Sequence, residues 1–529
     1  MPAPCRGTGQ AFTGMTVKTL PQSFLRHLSV CLAAAMLVVP WVMADEAVAP
    51  LINLEQAISS TIEHNYGIRL EQIGTEIGEG ALESAAGEFD WNMVTEAAAF
   101  RERLPPLSPW AYGTGISDWT YSAGVQKKLR SGIEIAPSVG ADVLKDPDLT
   151  GRRWISRGAV KFEMLIPLAR GGGEASAAAN ELFARRDLDG RYALYRHQIA
   201  SSVLDSVSAY WECVGATQAL QILTTSEREA EEMEDVVIRL ARAELFSLAY
   251  VEQAQSNSRE KTTRRVNAEL EQYKTRQTLG VSMGMDALAL SAPPLPADAF
   301  PDLDKPDLPP PRDFHSVIRF AQDNREDLEA AQTSKEALAI LSRAARRDLR
   351  PRVDLSLQLS YDGIDAGHRP QTFLFNENDG LRVMGGLSME FPVEKRLYSG
   401  QLRQALAEED LADVVREQLA QSIASEVMIA VEETSNTYAA YHVSLEAEKY
   451  YAEALHKERK RFLIGDSSFI DVIALQDGYR DAQLETIAAR QAHLIALATL
   501  RFASGTLVLG DESSGTVGID QLTVVPKFE

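Results

Sequence analysis

Histidine, cysteine and glycine motifs are where an enzymatic or metal site would first become visible in this sequence. The eight histidines are scattered, and none forms an HExxH pair or another spacing typical of metal ligands. The sequence contains neither a GxSxG nucleophile motif nor a Walker loop. It therefore predicts no enzymatic activity, no cofactor and no metal site.

Two further segments have a chemical and a structural interpretation. Gly171-Gly172-Gly173-Glu174 has the composition of a phosphate loop, but it lacks the Lys-Ser/Thr pair of such loops. A turn between a strand and a helix explains it better. Cys213 lies on an amphipathic helical pattern, so we interpret it as a packing residue.

Two short segments interrupt long helical patterns, and each is predicted to be the turn of a helical hairpin. Gly465 favours the positive-φ conformation that ends a helix, and Ser467 or Ser468 can cap the helix that follows. The ends of a long hairpin are exposed, so they are natural docking points. The two turns consist of Ala243, Glu244, Leu245, Phe246 and Ser247, and of Gly465, Asp466, Ser467 and Ser468.

Asp471 follows the second turn, and two interpretations of it stay open. A carboxylate in the first turn of a helix stabilises the positive end of the helix dipole. Alternatively, Asp471 faces a pore, where symmetry would repeat it as an acidic ring that attracts cations.

Long helices must position these turns. No proline lies between Pro167 and Pro293, or between Pro392 and Pro526, and both stretches are rich in helix-forming residues. Apolar residues recur there at helical spacing. A helix over about 175–240 would be roughly 100 Å long, which predicts a coiled-coil-like assembly.

Strand patterns flank the long helices. Apolar and polar residues alternate over 353–361, over 160–164 and over 381–391. The segments 119–129 and 132–143 predict a hairpin that turns at Arg130-Ser131-Gly132. Strands of about ten residues suit a tilted membrane barrel, although a soluble sheet alternates in the same way.

The chain divides into two similar halves. A proline-rich linker at 293–311 separates a first structural repeat at 45–292 from a second at 312–507, and a tail follows at 508–529. Each half runs helix, strands, long helix, turn and returning helix. One repeat cannot cover its own apolar face, so it must pack on copies of itself.

The N-terminus predicts an export signal at 1–44. An apolar run from Leu28 to Met43 ends at Val42-Met43-Ala44, which suits cleavage after Ala44. A membrane anchor is the alternative, but the run is short and contains Pro40. The net charge of −22 disfavours nucleic acid as a partner.

Several motifs together resemble the TolC family of outer-membrane efflux proteins, over about Leu51 to Leu507. Leu54-Glu55 followed by Asn65 resembles the family's opening helix. Tyr210-Trp211 resembles its aromatic pair on the first long helix. Two further matches are Ile166-Pro167-Leu168 with Gly171 for the strand-to-helix transition, and Gly465 with Asp471-Val472 for the second tip.

This resemblance implies an α+β membrane protein and a homotrimer. Four strands per chain would form a twelve-stranded β-barrel in the lipid of the outer membrane, continuous with a coiled-coil periplasmic tunnel of long helices. The helical tips would meet a periplasmic adaptor protein and, through it, an inner-membrane pump of the RND or ABC type. The chain would then be a passive, porin-like channel for efflux or type I secretion.

The resemblance also assigns Asp471 to an aspartate ring at the channel entrance. The family's second aspartate, one helical turn further on, is Ala474 here, and Ser467 replaces a basic residue of some members. The 119–143 hairpin is additional to the minimal strand count. We expect it to extend an extracellular or rim region, and the alternative is that it changes the assignment of the barrel strands.

Two other classes of protein stay open. A periplasmic rod or adhesin would use the coiled coil without a pore, and the alternating strands and repetition argue against it. An exported enzyme has no motif to support it. The sequence does not reveal the cargo.

Overall fold

A computed structural model describes residues 50–103, 115–145, 154–301, 303, 314–366, 379–508, 522–526 and 528. The predicted signal segment 1–44 lies outside the described residues, as do parts of the predicted linker and tail.

Two very long helices dominate the fold. Helix α4 (Ala179–Arg242) has 64 residues and α8 (Arg396–Leu463) has 68. Each extends for about 100 Å at 1.5 Å per residue. After a short turn, each is followed by a returning helix of 35 residues, α5 (Leu248–Ser282) or α9 (Phe469–Ala503). The predicted long helices and both hairpin turns are therefore confirmed.

Shorter helices pack beside the long ones near the ends of α5 and α9. They are α1 (Leu54–His64), α2 (Tyr66–Ala86), the four-residue α3 (Glu174–Ala177), α6 (Phe314–Asn324) and α7 (Glu326–Asp348). Short 3₁₀ turns lie at Gly87–Phe89 and Ala289–Ser291.

The main core lies where α1, α4, α5 and α9 meet. Tyr210 is fully buried there, and its hydroxyl donates to the carboxylate of Asp298 at 2.7 Å. The same carboxylate accepts from the backbone nitrogen of Leu54 at 2.9 Å. A second core joins α6, α8 and α9 around Val317, Ile423 and Leu500. Tyr210 lies 31 residues into α4 and Ile423 lies 27 residues into α8, so both cores are about 40 Å or more along the long helices from the six-stranded sheet.

A six-stranded antiparallel sheet forms the other part of the fold. Its strands follow chain order, β2 (Asn92–Arg103), β3 (Gly115–Lys128), β4 (Glu134–Lys145), β5 (Ile155–Pro167), β7 (Arg352–Ala366) and β8 (Asp379–Glu390). A separate parallel pair joins β1 (Leu51–Ile52) to β6 (Leu295–Pro296).

The sheet corrects the expected count of four strands per chain. The predicted hairpin is present as β3 and β4, but it does not extend a rim, because both strands pair along their length inside the sheet. Strand β2 was missed, since its Ala97-Ala98-Ala99 run hides the alternation of apolar and polar residues.

The two faces of the sheet differ sharply in polarity. Residues opposite each other in the register share a face, so one face can be followed across all six strands. Its side chains are highly exposed in the single chain, for example Met93 at 75% and Val383 at 73%. This apolar face includes Met93, Trp119, Tyr121, Val125, Val139, Val160, Phe162, Leu357, Leu359, Tyr361, Leu381, Val383 and Leu387.

The opposite face carries most of the charges, and the charged residues on the apolar face, such as Arg101, Lys127 and Asp365, lie near the strand ends. Arg382 and Asp362 form an ion pair on the opposite face at 3.0 Å. This charged face includes Glu96, Asp118, Lys128, Glu134, Asp142, Arg157, Lys161, Glu163, Asp354, Asp362, Arg382 and Glu390. A sheet with one apolar and one charged face suits a boundary between an apolar environment and water.

Candidate functional site

The two hairpin turns lie side by side, which the sequence did not predict. Aromatic rings from both turns pack together, with centroid distances of 6.4 Å for Phe246–Phe462 and 6.2 Å for Tyr250–Phe469. Phe469 is 2% exposed, so the small core that holds the turns together is well packed. We call this end of the helical hairpins, 243–248 and 464–471, the tip.

The tip exposes apolar side chains around this small core. Leu245 is 69% exposed and Leu248 is 78% exposed at the first turn. Ile464 is 80% exposed and Ile470 is 52% exposed at the second turn. Such a group of exposed aliphatic side chains is typical of an interaction surface. Of these four residues, sequence reasoning had singled out only Leu245, because exposure depends on how the turns pack.

The second turn has the local structure that its residues predicted. Gly465 adopts a φ of 80°, and the Ser467 hydroxyl donates to Glu458 of α8. Ser468 caps α9, because its hydroxyl oxygen accepts from the backbone nitrogen of Asp471 at 3.2 Å. In the first turn, Glu244 adopts a left-handed φ of 61°.

Asp471 completes a capping box at the start of α9. Its carboxylate accepts from the backbone nitrogen of Ser468 at 3.3 Å and from the Ser468 hydroxyl at 2.7 Å. The carboxylate is exposed at the tip. Within one chain, helix capping accounts for these contacts, and a role in an acidic ring stays a prediction.

Behind the tip, a buried charged cluster ties the two hairpins together. Lys261 of α5 and Arg480 of α9 are each 3% exposed, and both donate to Asp477 Oδ1, at 2.5 and 2.7 Å. Arg480 also contacts Asp481 at 2.8 Å. The cluster borders a cavity of about 400 Å³. Sequence reasoning missed it, because Lys261 and Asp477 are 216 positions apart.

Closer to the core, α8 and α9 share a buried histidine. His493 is 2% exposed, and its Nδ1 lies 3.2 Å from the Thr437 hydroxyl. Burial, together with the nearby His442, lowers the pKa of His493 to about 4. The ring is therefore neutral at ordinary pH and packs against Tyr438.

Metal-ligating and nucleophilic side chains form no evident reactive group among the described residues. Among the described residues, no group of three or more His, Cys, Asp or Glu side chains could hold a metal ion. Cys213 is buried on α4, and burial raises the pKa of its thiol to about 11. Gly171 and Gly173 form a turn between β5 and α3, with φ values of 81° and 83°, so the structural interpretation of this segment is confirmed. None of the helices in the described ranges is long and apolar enough to cross a bilayer.

Comparison with protein families confirms the resemblance seen in the sequence. Residues 317–506, which include α7 to α9 and strands β7 and β8, match the model of the outer membrane efflux protein family. The match covers the second hairpin and its turn. No curated protein sequence matches the chain.

Solved structures show the same fold over most of the chain. The CmeC outer membrane channel of Campylobacter jejuni superposes with a TM-score of 0.65 at 13% identity, covering 86% of each chain. The outer membrane protein VceC of Vibrio cholerae gives 0.62 at 14% identity, over 85% of this chain and 96% of its own. The open-state MtrE channel of Neisseria gonorrhoeae gives 0.61 at 16% identity, over 86% and 89%.

The class of protein follows from these matches. The chain has the mixed helix-and-sheet fold of these outer membrane channels, and residues 317–506 match the outer membrane efflux protein model.

Proposed function

We propose that this protein is a subunit of a passive export conduit that connects the periplasm with the cell exterior. One observation carries this proposal. The chain has an exposed apolar sheet face at one end and an exposed apolar tip at the other, about 100 Å away along α4. The sheet suits the lipid of the outer membrane, and the tips suit a periplasmic adaptor that links the conduit to an inner-membrane pump. Tripartite efflux and type I secretion both fit this arrangement.

Assembly of the conduit requires several copies. The first and last strands of the sheet, β2 and β8, have no neighbour on their outer edges among the described residues. Unpaired edges in lipid are costly, so sheets that cross membranes close into barrels. We propose a homotrimer with two structural repeats per chain, as the family resemblance implies.

Loss of the gene is the direct test of this function. A strain without the protein should become more sensitive to expelled compounds, or it should stop secreting a polypeptide. Expression of the intact chain should restore the phenotype. If neither export process changes under any tested load, the conduit role is wrong.

Charged substitutions at the tip should block docking without unfolding the protein. Replacing Leu245 and Ile464 by Asp would force charges into a dry interface and should weaken adaptor binding by about tenfold or more. The export phenotype should then approach that of the deletion strain, and binding of purified adaptor can be measured directly.

The matched control for the tip variant is Leu288→Asp. Leu288 is 83% exposed but lies beyond the other end of α5, so its substitution should leave adaptor binding unchanged. Equal losses in both proteins would argue against the tip as the docking surface.

Asp471→Asn should separate the two interpretations of this residue. An amide oxygen can still accept from the Ser468 nitrogen, so α9 should stay capped while the charge disappears. If Asp471 forms an acidic ring in the assembled channel, cation selectivity should fall several-fold in planar bilayers with unequal salt. Unchanged reversal potentials would leave capping as its role.

A further inference from the structure

We propose that each copy of this chain places six strands in the wall of the barrel, so that a trimer closes an eighteen-stranded barrel and not a twelve-stranded one. This inference rests on the proposed function, because it assumes a barrel of three copies. Its content is that the β3–β4 hairpin is part of the wall, and that the outer section of the conduit is correspondingly wide.

Continuous pairing is the first argument. Strand β3 pairs with β2 from Gly115 to Gln126, and β4 pairs with β5 from Glu134 to Leu144. The two strands also pair with each other over most of their length. A hairpin folded over the mouth or into the lumen would leave β2 and β5 to pair directly, whereas here each of them pairs with a strand of the hairpin.

The polarity of the inserted strands is the second argument. Trp119, Tyr121 and Val139 continue the apolar face between neighbouring strands, and Asp118 and Asp142 continue the charged face. A soluble insertion would have no need to maintain this division. The alternation therefore fits strands that have lipid on one side and water on the other.

The turn of the hairpin is built into the junction with the helices, which is the third argument. The Ser131 carbonyl accepts from the Gly173 nitrogen at 2.9 Å. Arg130 donates to both carboxylate oxygens of Glu181 on α4, at 2.7 and 2.8 Å, and Glu181 is only 4% exposed. The Arg130 side chain also covers the ring of Phe89 at 5.1 Å. The hairpin is thus attached to the first turn of the long helix.

Gly132 shows how closely the turn fits this junction. It adopts a φ of 88°, and a Cβ there would collide with the Gly171 carbonyl oxygen and lie 3.0 Å from Pro167. Pro167 ends β5 and Gly171 belongs to the turn before α3. The turn therefore lies at the end of the sheet nearest the helices. From there β4 runs parallel to β2.

Strand directions allow closure with six strands per copy. Because six is even, β2 and β8 run antiparallel, so β2 of one copy can pair with β8 of the next without breaking the antiparallel pattern. Both edge strands present apolar residues on the same face, such as Met93 and Leu387.

The width of the channel follows from the strand number. Strands about 4.8 Å apart and tilted by about 40° give a backbone diameter of about 24 Å for twelve strands and about 36 Å for eighteen. Residues 115–145 add two strands to each copy and no helix, so the extra width is confined to the barrel. The barrel would therefore admit bulkier solutes than a twelve-stranded one, and selection by size would fall to the helical tunnel and its tip.

Electron cryo-microscopy of the full-length protein in lipid nanodiscs tests this inference by direct strand counting. We expect six strands per copy in the barrel wall and a backbone diameter of about 36 Å. Four strands per copy, with the 115–145 segment outside the wall, would overturn the proposal. Export assays judge the conduit function separately, since a twelve-stranded channel would still restore resistance.

A deletion variant gives a matched comparison. Removal of 115–145 takes out one strand of each direction, so β2 can pair with β5 and the sheet keeps its antiparallel order. The variant's barrel should narrow to about 24 Å, which is two thirds of the diameter of the intact protein. If it assembles with an unchanged diameter, the hairpin is not part of the wall. If it fails to assemble, the strand count of the intact protein alone decides.

Discussion

Arg325→Leu should destabilise the protein by about 3–5 kcal/mol, because it leaves a buried carboxylate without its partner. Arg325 is 5% exposed and donates to both oxygens of Asp327, at 2.9 and 2.7 Å. It also contacts Glu426 of α8 at 3.1 Å and the Phe502 ring of α9 at 5.0 Å. One side chain thus links three helices. Urea unfolding followed by circular dichroism would measure the loss.

The pH dependence of this variant should identify the cause. Burial alone would raise the pKa of Asp327, but the hydrogen bonds and the charge of Arg325, together with His197 and the Leu328 nitrogen, outweigh burial and hold the pKa below its ordinary value of 3.8. The stabilisation is therefore present above about pH 4 and is lost as the pH falls through the native pKa. The difference between the variant and the intact protein should shrink in acid.

An exposed ion pair provides the control for Arg325. Arg228 lies 4.0 Å from Glu232 on α4, and both side chains are at least 70% exposed. Arg228→Leu should leave stability almost unchanged, because water and salt screen such a pair. If the two variants behaved alike, the buried link would not have the importance assigned to it.

Gly284→Ala should disrupt the junction between the end of α5 and the break between α1 and α2. Gly284 adopts a φ of 74°, and a Cβ there would collide with the His64 carbonyl group and lie 2.8 Å from the Asn65 nitrogen. Asn65 also donates to the Ser282 carbonyl at 2.7 Å, so the two segments are held together. Left-handed strain and overpacking together should cost about 2–5 kcal/mol.

Gly465→Ala is the matched control, because its strain comes without a collision. Gly465 adopts a φ of 80°, but nothing lies within 4 Å of a Cβ at this position. Its cost should be limited to the left-handed conformation, about 1–2 kcal/mol. The two unfolding curves should therefore separate clearly. A larger loss for Gly465→Ala would mean that the tip turn is more constrained than the single chain indicates.

Local patterns in the sequence were sufficient for the helices and turns. The proline-free stretches predicted α4 and α8, and Gly465 with Ser468 predicted a positive φ and a helix cap that the structure confirms. These features depend on residues within about four positions of one another. The 119–143 hairpin was found for the same reason, since alternation and a glycine turn are local signals.

Features that depend on contacts between distant segments of the chain could not be predicted from local patterns. The Ala97-Ala98-Ala99 run masked β2, and the place of the hairpin within the sheet could not be read from its own residues. The tip's exposed aliphatic residues became visible only once the aromatic rings of both turns were seen to pack together.

The amino-acid sequence by itself determined the long helices, their turns, the two-faced strands and the resemblance to outer-membrane efflux proteins. Only the tertiary structure decided that six strands share one sheet, that both turns form one tip, and that Lys261, Asp477 and Arg480 meet behind it. The physical reason is distance along the chain. Periodicity and capping act between near neighbours, whereas strand order and buried ion pairs join residues that lie tens to hundreds of positions apart.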